Sequence, residues 1–449
     1  MKFNDLNLNQ KIVEALSKIG FDEVTEIQEK TIPIILGGSD MVARSQTGSG
    51  KTLAFGLPII NNIMMDIDGV QALIVCPTRE LAMQVSTELR KATLYLENIK
   101  IVPVYGGADI SRQIQSLKRG AKIVVGTPGR IIDHLNRRTL KLHNIKTLVL
   151  DEADEMLNMG FKDDIEIILK ATPIKRQTLM FSATFPPAIK AITKNYQNNP
   201  VSIELGELNK SLNNVNQSFA FADRGKKTQV MLEIFKSNKP SLSIIFSNTK
   251  KNAEQLKDIL VNEGFNAVTL HGDMRQRERT KVLSLIKNNS KNILVATDVA
   301  ARGIDIDDVD YIINYDIPNN VESYLHRIGR TARAGKTGNA ITIISSRDQY
   351  KLLKDFERET KSNIKEMPEH AMRLNKEEDF KASASGAKSF NYSKKPGGKR
   401  SFGSFDKSKK DAKKSSDHKS GDKSFDNKGG FKNKFSDKNK NFNKQVKKV

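Results

Sequence analysis

Cysteine is almost missing from the 449 residues: Cys76 stands alone. That excludes intramolecular disulfides and any cysteine-rich zinc centre, and it suits a reducing compartment. Long apolar runs are missing too, with nothing near the roughly 18 residues a membrane span requires. The start, Met1-Lys2-Phe3-Asn4-Asp5, lacks the apolar core of a signal peptide. A soluble, cytoplasmic protein with no membrane contact is expected. Negative charge is in deficit, since 74 Lys and Arg face 52 Asp and Glu for a net +22. An excess of that size points to a polyanionic partner, nucleic acid or an anionic membrane. With 38% hydrophobic residues the chain can pack two or three domains and is large enough for an enzyme.

The stretch around which the rest is organised is Thr147-Leu148-Val149-Leu150-Asp151-Glu152-Ala153-Asp154. Its apolar residues stop abruptly at three carboxylates, which reads as a buried parallel strand carrying acid into the crevice where open α/β sheets bind ligands. An Asp at such an edge holds Mg²⁺ through water, and a neighbouring Glu orients a water toward a phosphate. The competing reading, acids that merely open a helix, loses weight because of Ser45-Gln46-Thr47-Gly48-Ser49-Gly50-Lys51-Thr52 about a hundred residues earlier. Its glycines let backbone N–H groups converge on a phosphate, Lys51 reaches the outer phosphates, and Thr52 offers a hydroxyl to Mg²⁺.

Short apolar or β-branched runs at 40–43, 72–76, 101–105, 122–125, 147–150 and 178–181 are spaced widely enough for helical crossovers. Such alternation predicts a parallel sheet covered on both faces. Polar, small and basic residues follow these runs: Pro77-Thr78-Arg79-Glu80-Leu81-Ala82, Gly106-Gly107, Thr127-Pro128-Gly129-Arg130 and Ser182-Ala183-Thr184. At loop-to-helix junctions they suit a phosphate backbone. Upstream, Phe21 and Gln28 pair a ring able to stack with an amide able to read the edge of adenine; read alone, they are a core residue and a surface residue.

The strand pattern lapses over 204–217 and resumes with runs at 243–246, 267–270, 292–296, 311–315 and 339–344. This second half has no Gly-Lys-Thr loop. It offers Gln276 and Arg279, then Thr297, Arg302, Gly303 and Asp305, then His326, Arg330 and Arg333. Arg330 and Arg333, three apart, share one face of a helical turn and suit arginine fingers for a nucleotide held by the first half. Residues 381–449 contain no Leu or Ile and carry 21 Lys or Arg against 6 Asp. Such a segment cannot offset its ordering entropy by burial and is expected to be disordered. Its interspersed Phe390, Tyr392, Phe402, Phe405, Phe425, Phe431, Phe435 and Phe442 suit stacking on unpaired bases while the cations track phosphates.

At these spacings the chain, from residue 1 to about 365, resembles the bacterial DEAD-box ATP-dependent RNA helicases of superfamily 2. Two departures are visible: Val24 stands where the family usually has Pro, and Ser45 where Ala is common. The resemblance implies an α/β fold of two tandem RecA-like domains with parallel sheets, at 1–205 and 217–368, a linker at 206–216 and a disordered basic tail at 369–449. ATP and Mg²⁺ are the implied cofactors. Lys51, Glu152, Arg330 and Arg333 would be catalytic. Phe21, Gln28, Thr47, Gly48, Ser49, Gly50, Lys51, Thr52 and Asp305 would hold the nucleotide, with Thr52 and Asp151 on the metal. Asp154, Ser182, Thr184 and His326 would link hydrolysis to unwinding. Pro77, Thr78, Arg79, Gly106, Gly107, Thr127, Pro128, Gly129, Arg130, Gln276, Arg279, Thr297, Arg302 and Gly303 would face RNA. Implied partners are single-stranded and duplex RNA and proteins of ribosome assembly or RNA decay, with the chain a monomer. A DNA-directed translocase and an ATP-independent RNA chaperone acting through the tail are the alternatives.

Overall fold

The apolar runs form strands buried on both faces. Ala72–Val75 and Thr147–Leu150 are buried at every position, because each contributes side chains alternately to two cores. In the second of these, Val149 enters one cluster with Phe55, Leu89 and Phe181, while Leu148 and Leu150 enter another with Ile165, Ile168 and Ile189. The computed structural model describes residues 1–44, 49–205, 214–301, 304, 306, 309–332 and 336–367. All of these belong to one unit spanning Met1–Ala387. Among them no helix is long and apolar enough to cross a membrane. The expected disordered tail, and most of the expected linker, lie outside the described residues.

The first lobe has strands β1 (Met41–Arg44), β2 (Ala72–Val75), β3 (Lys100–Val104), β4 (Ala121–Gly126), β5 (Thr147–Leu150), β6 (Gln177–Ser182) and β7 (Val201–Glu204). They form one sheet in the order β3-β4-β2-β5-β6-β1-β7, parallel throughout. Helices α1 (Gln10–Lys18), α2 (Glu26–Leu36), α3 (Lys51–Asn61), α4 (Arg79–Ala92), α5 (Ile110–Lys118), α6 (Pro128–Asn136), α7 (Ala153–Asn158), α8 (Lys162–Ala171) and α9 (Pro187–Tyr196) accompany them. Local chemistry sets several helix starts. Thr78 Oγ1 accepts from the Leu81 N–H ahead of α4 and Asp109 accepts from the Ser111 N–H ahead of α5, and Pro128 occupies the first position of α6.

The second lobe has β8 (Val215–Phe221), β9 (Ser243–Phe246), β10 (Ala267–Leu270), β11 (Ile293–Ala296), β12 (Tyr311–Asn314), β13 (Gly338–Ile344) and β14 (Lys365–Glu366), ordered β10-β11-β9-β12-β13-β8-β14 and again parallel. Two all-parallel seven-stranded sheets are the expected fold class. Three strands were not anticipated. β7 is an edge strand with mostly exposed residues, and β14 is two residues long. β8 opens on Val215-Asn216-Gln217-Ser218, polar enough to read as linker, yet pairs with β13 over seven positions. The second lobe's sheet therefore starts at Val215, ahead of the expected boundary at 217.

Candidate active site

Sheet order brings together residues far apart in sequence. β5, β6 and β1 are neighbours, with Arg44 in register with Ser182 and Leu150 with Met180, so the end of β1, the acids after β5 and Ser182 share one half of the strands' carboxyl ends. Residues 45–48, hence Thr47 and Gly48, lie outside the described residues. Gly50 caps α3 at φ 94° and is approached so closely that a Cβ there would lie 2.7 Å from Gln28 Nε2 and 2.8 Å from Thr25 Oγ1. Only glycine fits that left-handed, crowded position. Gln28 Nε2 donates to the Gly50 carbonyl at 3.1 Å, and Gln28 Oε1 accepts from the Thr25 N–H at 2.9 Å. Gln28 is thus buried against the loop, not a surface residue, with one N–H and one lone pair beyond these bonds. Phe21 is the opposite of a core residue, at 43% exposure.

Lys51, Asp151 and Glu152 are buried, while Ser49 and Thr52 are half-buried. Burial pushes the Asp151 carboxyl up to about 6; Lys51 pulls it down, and Glu152 and Asp154 repel it upward. Glu152 Oε2 is buried and has no hydrogen-bond partner among the described residues. Two adjacent buried acids, one held back from ionising and the other short of a partner, fit a site completed by a divalent cation and water. No group of three or more His, Cys, Asp or Glu able to hold a metal occurs among the described residues. Remaining ligands would have to be hydroxyl, water and phosphate oxygens, as is usual for Mg²⁺. Glu152 itself adopts φ 50°, ψ 51° between β5 and α7, a conformation costly for a non-glycine residue and concentrated at functional positions.

Asp154 turns the other way, toward β6. Its Oδ2 accepts from the Ala183 N–H (3.1 Å), the Thr184 N–H (2.8 Å) and Thr184 Oγ1 (2.9 Å), while Ser182 Oγ donates to the Thr184 carbonyl at 2.7 Å. From the second lobe, His326 Nδ1 meets Glu155. Burial pushes the His326 imidazolium down, but the hydrogen bond and charge of Glu155, with Asp154 and Glu152 behind it, outweigh burial and leave it above the ordinary histidine value. Glu155 was not singled out from sequence. It follows Asp154 directly, but its significance lies in a contact from another lobe, which no local spacing encodes.

The other half of the carboxyl ends, after β2, β4 and β3, carries the small and basic residues. Pro77, Thr78, Arg79, Gly106, Gly129 and Arg130 line a cleft of about 460 Å³ that Arg279 and Val299 complete from the second lobe. Arg79 lies over Gly106 and Gly107; at Gly107, with φ 77°, a Cβ would come 2.2 Å from Arg79 Nη1. Thr127, which also lines the cleft, caps α6, and Pro128 opens that helix. Arg130 Nη1 donates to the Ala108 carbonyl and to Gln113 Oε1, both at 3.1 Å. Arg279 Nε donates to Glu80 Oε1 at 2.7 Å, its Nη1 and Nη2 donate to the His271 and Ala300 carbonyls, and Gln276 Nε2 reaches Glu80 at 3.4 Å. The guanidinium of Arg279 therefore bridges the lobes. Glu80 falls within the stretch 77–82, but its pairing with Arg279 of the other lobe is not encoded by local spacing.

In the second lobe Thr297 opens the short helix Asp298–Ala301 at the end of β11, its carbonyl accepting from the Ala300 and Ala301 N–H groups. Arg330 is buried, with Nη1 donating to the Ile304 carbonyl at 2.9 Å. Arg302, Gly303, Asp305 and Arg333 lie outside the described residues. Arg327, between the expected site residues His326 and Arg330, is 2% exposed and ties three strand ends together: it pairs with Asp298 (2.6 and 2.8 Å), Asn314, Asn248 and the Asp316 carbonyl.

Comparison with known proteins agrees with this geometry. Residues 25–192 match the DEAD/DEAH box helicase family model and residues 226–335 match the helicase conserved C-terminal domain. The chain is 51% identical to the ATP-dependent RNA helicase CshA of Listeria monocytogenes over 77% of its own length and 66% of that protein's. It is 46% identical to the DEAD-box ATP-dependent RNA helicase CshA of Geobacillus kaustophilus over 81% of its length and 78% of that protein's. A solved structure of S. cerevisiae Dbp5 bound to RNA and ADP BeF3 superposes with a TM-score of 0.75 at 30% identity, over 82% of this chain and 95% of that one. Two parallel-sheet lobes, matching models of both helicase domains and relatives at this level of identity lead to one family: the chain belongs to the DEAD-box ATP-dependent RNA helicases.

Proposed function

We propose that the chain hydrolyses ATP only when its lobes close on single-stranded RNA, and that this closure separates short duplexes or remodels RNA–protein complexes. The observation that carries the reading is the division of the site between lobes. Lys51, Asp151 and Glu152 belong to the first lobe, whereas His326 and Arg330 belong to the second, and His326 already reaches Glu155. In this reading the loop around Lys51 holds the phosphates, Gln28 and Phe21 hold adenine, and Thr52 and Asp151 hold Mg²⁺. Bound there, Mg²⁺ neutralises charge on the β- and γ-phosphates. Glu152 orients the attacking water through Oε2. Arg330 and Arg333 stabilise charge as it develops in the transition state, and Asp305 faces the ribose. Asp154 transmits the state of the site through Ser182 and Thr184 to β6, which β5 separates from the RNA-facing strand β2. The motifs after β2, β3 and β4, with Gln276, Thr297, Arg302 and Gly303, hold the RNA backbone. The basic tail acts as a further tether for RNA, and the chain works as a cytoplasmic monomer alongside proteins of ribosome assembly or RNA decay.

Glu152→Gln tests the assignment. It keeps the shape of the side chain and removes its basicity, so ATP binding should persist while turnover is lost and RNA stays trapped in the closed state. Near-normal hydrolysis in this variant contradicts the proposed role.

A further inference from the structure

Beyond the RNA cleft lies a second groove. It has a volume of about 690 Å³ and runs along the outer edge of β3, between the end of α4 and α5. Arg90, Lys100, Arg112 and Arg119 line it, with Asp109 the single acid among its lining residues and Tyr105 half-buried at one end. Its wall is shared with the cleft. Gly106 and Arg130 line the cleft, Tyr105, Ala108 and Gln113 line the groove, and Arg130 Nη1 donates to both the Ala108 carbonyl and Gln113 Oε1. Gln113 Nε2 closes the connection by donating to the Tyr105 carbonyl at 3.0 Å.

We propose that this β3-edge groove is a second RNA subsite, which takes the phosphodiester backbone of a single strand as it leaves the cleft over Gly106-Gly107. The inference rests on the cleft being the RNA site and extends it. β3 covers five residues, so the groove spans roughly 17 Å from the cleft side of the sheet toward the opposite side. Cations along a groove that continues a phosphate-binding surface suit a sequence-independent backbone track, and Tyr105 offers a ring face to a base near its mouth.

Edge strands also attract protein partners by strand addition, and this edge is closed to that. Pro103 has no N–H to donate, and Arg90 Nη2 already occupies the Ile101 carbonyl at 2.8 Å. Protection of the edge accounts for those two residues. It does not require Arg112, whose side chain is 88% exposed and 3.7 Å from Asp109, or the exposed Arg119.

The test uses the full chain carrying Lys100→Gln, Arg112→Gln and Arg119→Gln together, all at exposed positions. Binding of single-stranded RNA of about 8 and about 25 nucleotides is compared in the presence of a non-hydrolysable ATP analogue, the shorter strand filling the cleft alone. The triple variant should bind the longer strand about tenfold more weakly and the shorter one as the unmodified chain does. For the longer strand the slope of log K against log salt should flatten by about 2 units, one step of roughly 0.7 for each lost contact. The kcat at saturating short RNA should not change, which also reports intact folding. Equal weakening for both lengths means a diffuse charge effect and overturns the proposal. No weakening for either overturns it too and leaves the cations to an acidic protein segment. Failure of the cleft reading is separate, appearing as the unmodified chain's inability to bind the short strand in a nucleotide-dependent way.

Discussion

Gln28 has two duties at the residue scale. Its amide holds the Gly50 carbonyl and the Thr25 N–H, and the donor and acceptor positions beyond those bonds are what an adenine edge requires. Removing a buried partner of this kind costs about 1–3 kcal/mol. Gln28→Ala should therefore lower kcat/KM for ATP by about 10–100-fold and for GTP distinctly less. Steady-state kinetics with both nucleotides decides between the duties: equal losses would mean that Gln28 only braces the phosphate loop. Cys76 is a contrasting case. Burial, with the charges of Asp151 and Glu152, pushes its thiol well up, so the lone cysteine at the end of β2 is inert.

At the scale of elements, β5 and α7 deliver the acids and the helix Val321–Ile328 delivers His326 to them. His326 is held above its ordinary value when paired with Glu155. Its stabilisation of the closed state is thus present in full below about pH 6.5 and is lost as pH rises through the raised value. RNA affinity in the presence of an ATP analogue should weaken from neutral to mildly alkaline pH, and His326→Gln, which keeps a hydrogen bond but does not titrate, should flatten that profile. An unchanged profile in the variant would place the titrating group elsewhere. Much of this level was legible in the sequence. β2, β5, β9 and β11 stand out because strands buried on both faces are near-continuous apolar runs, and Lys51, Asp151 and Glu152 stand out because phosphate chemistry needs those types at strand ends. β7 and β8 did not, since an edge strand and a half-polar strand lack that pattern. Glu80, Glu155 and Arg327 did not either, because their partners lie on other elements and nothing in local spacing identifies them.

For the whole molecule, the question is what drives closure. Glu80 and Arg279 form a buried pair between the lobes, with side-chain exposures of 6% and 8%. Desolvation offsets most of what such a pair contributes, so it sets the register of the lobes more than the strength of their association. The energy of closure must then come from ligands that prefer the closed state. ATP contacts residues of both lobes and so does RNA in the proposed arrangement, so each must strengthen the other's binding by the same factor. The direct measurement is the affinity of the full chain for single-stranded RNA with and without a non-hydrolysable ATP analogue, alongside the affinity for the analogue with and without RNA. The account predicts that both tighten by one shared factor of about 5–150. Independent binding of the two ligands would contradict it.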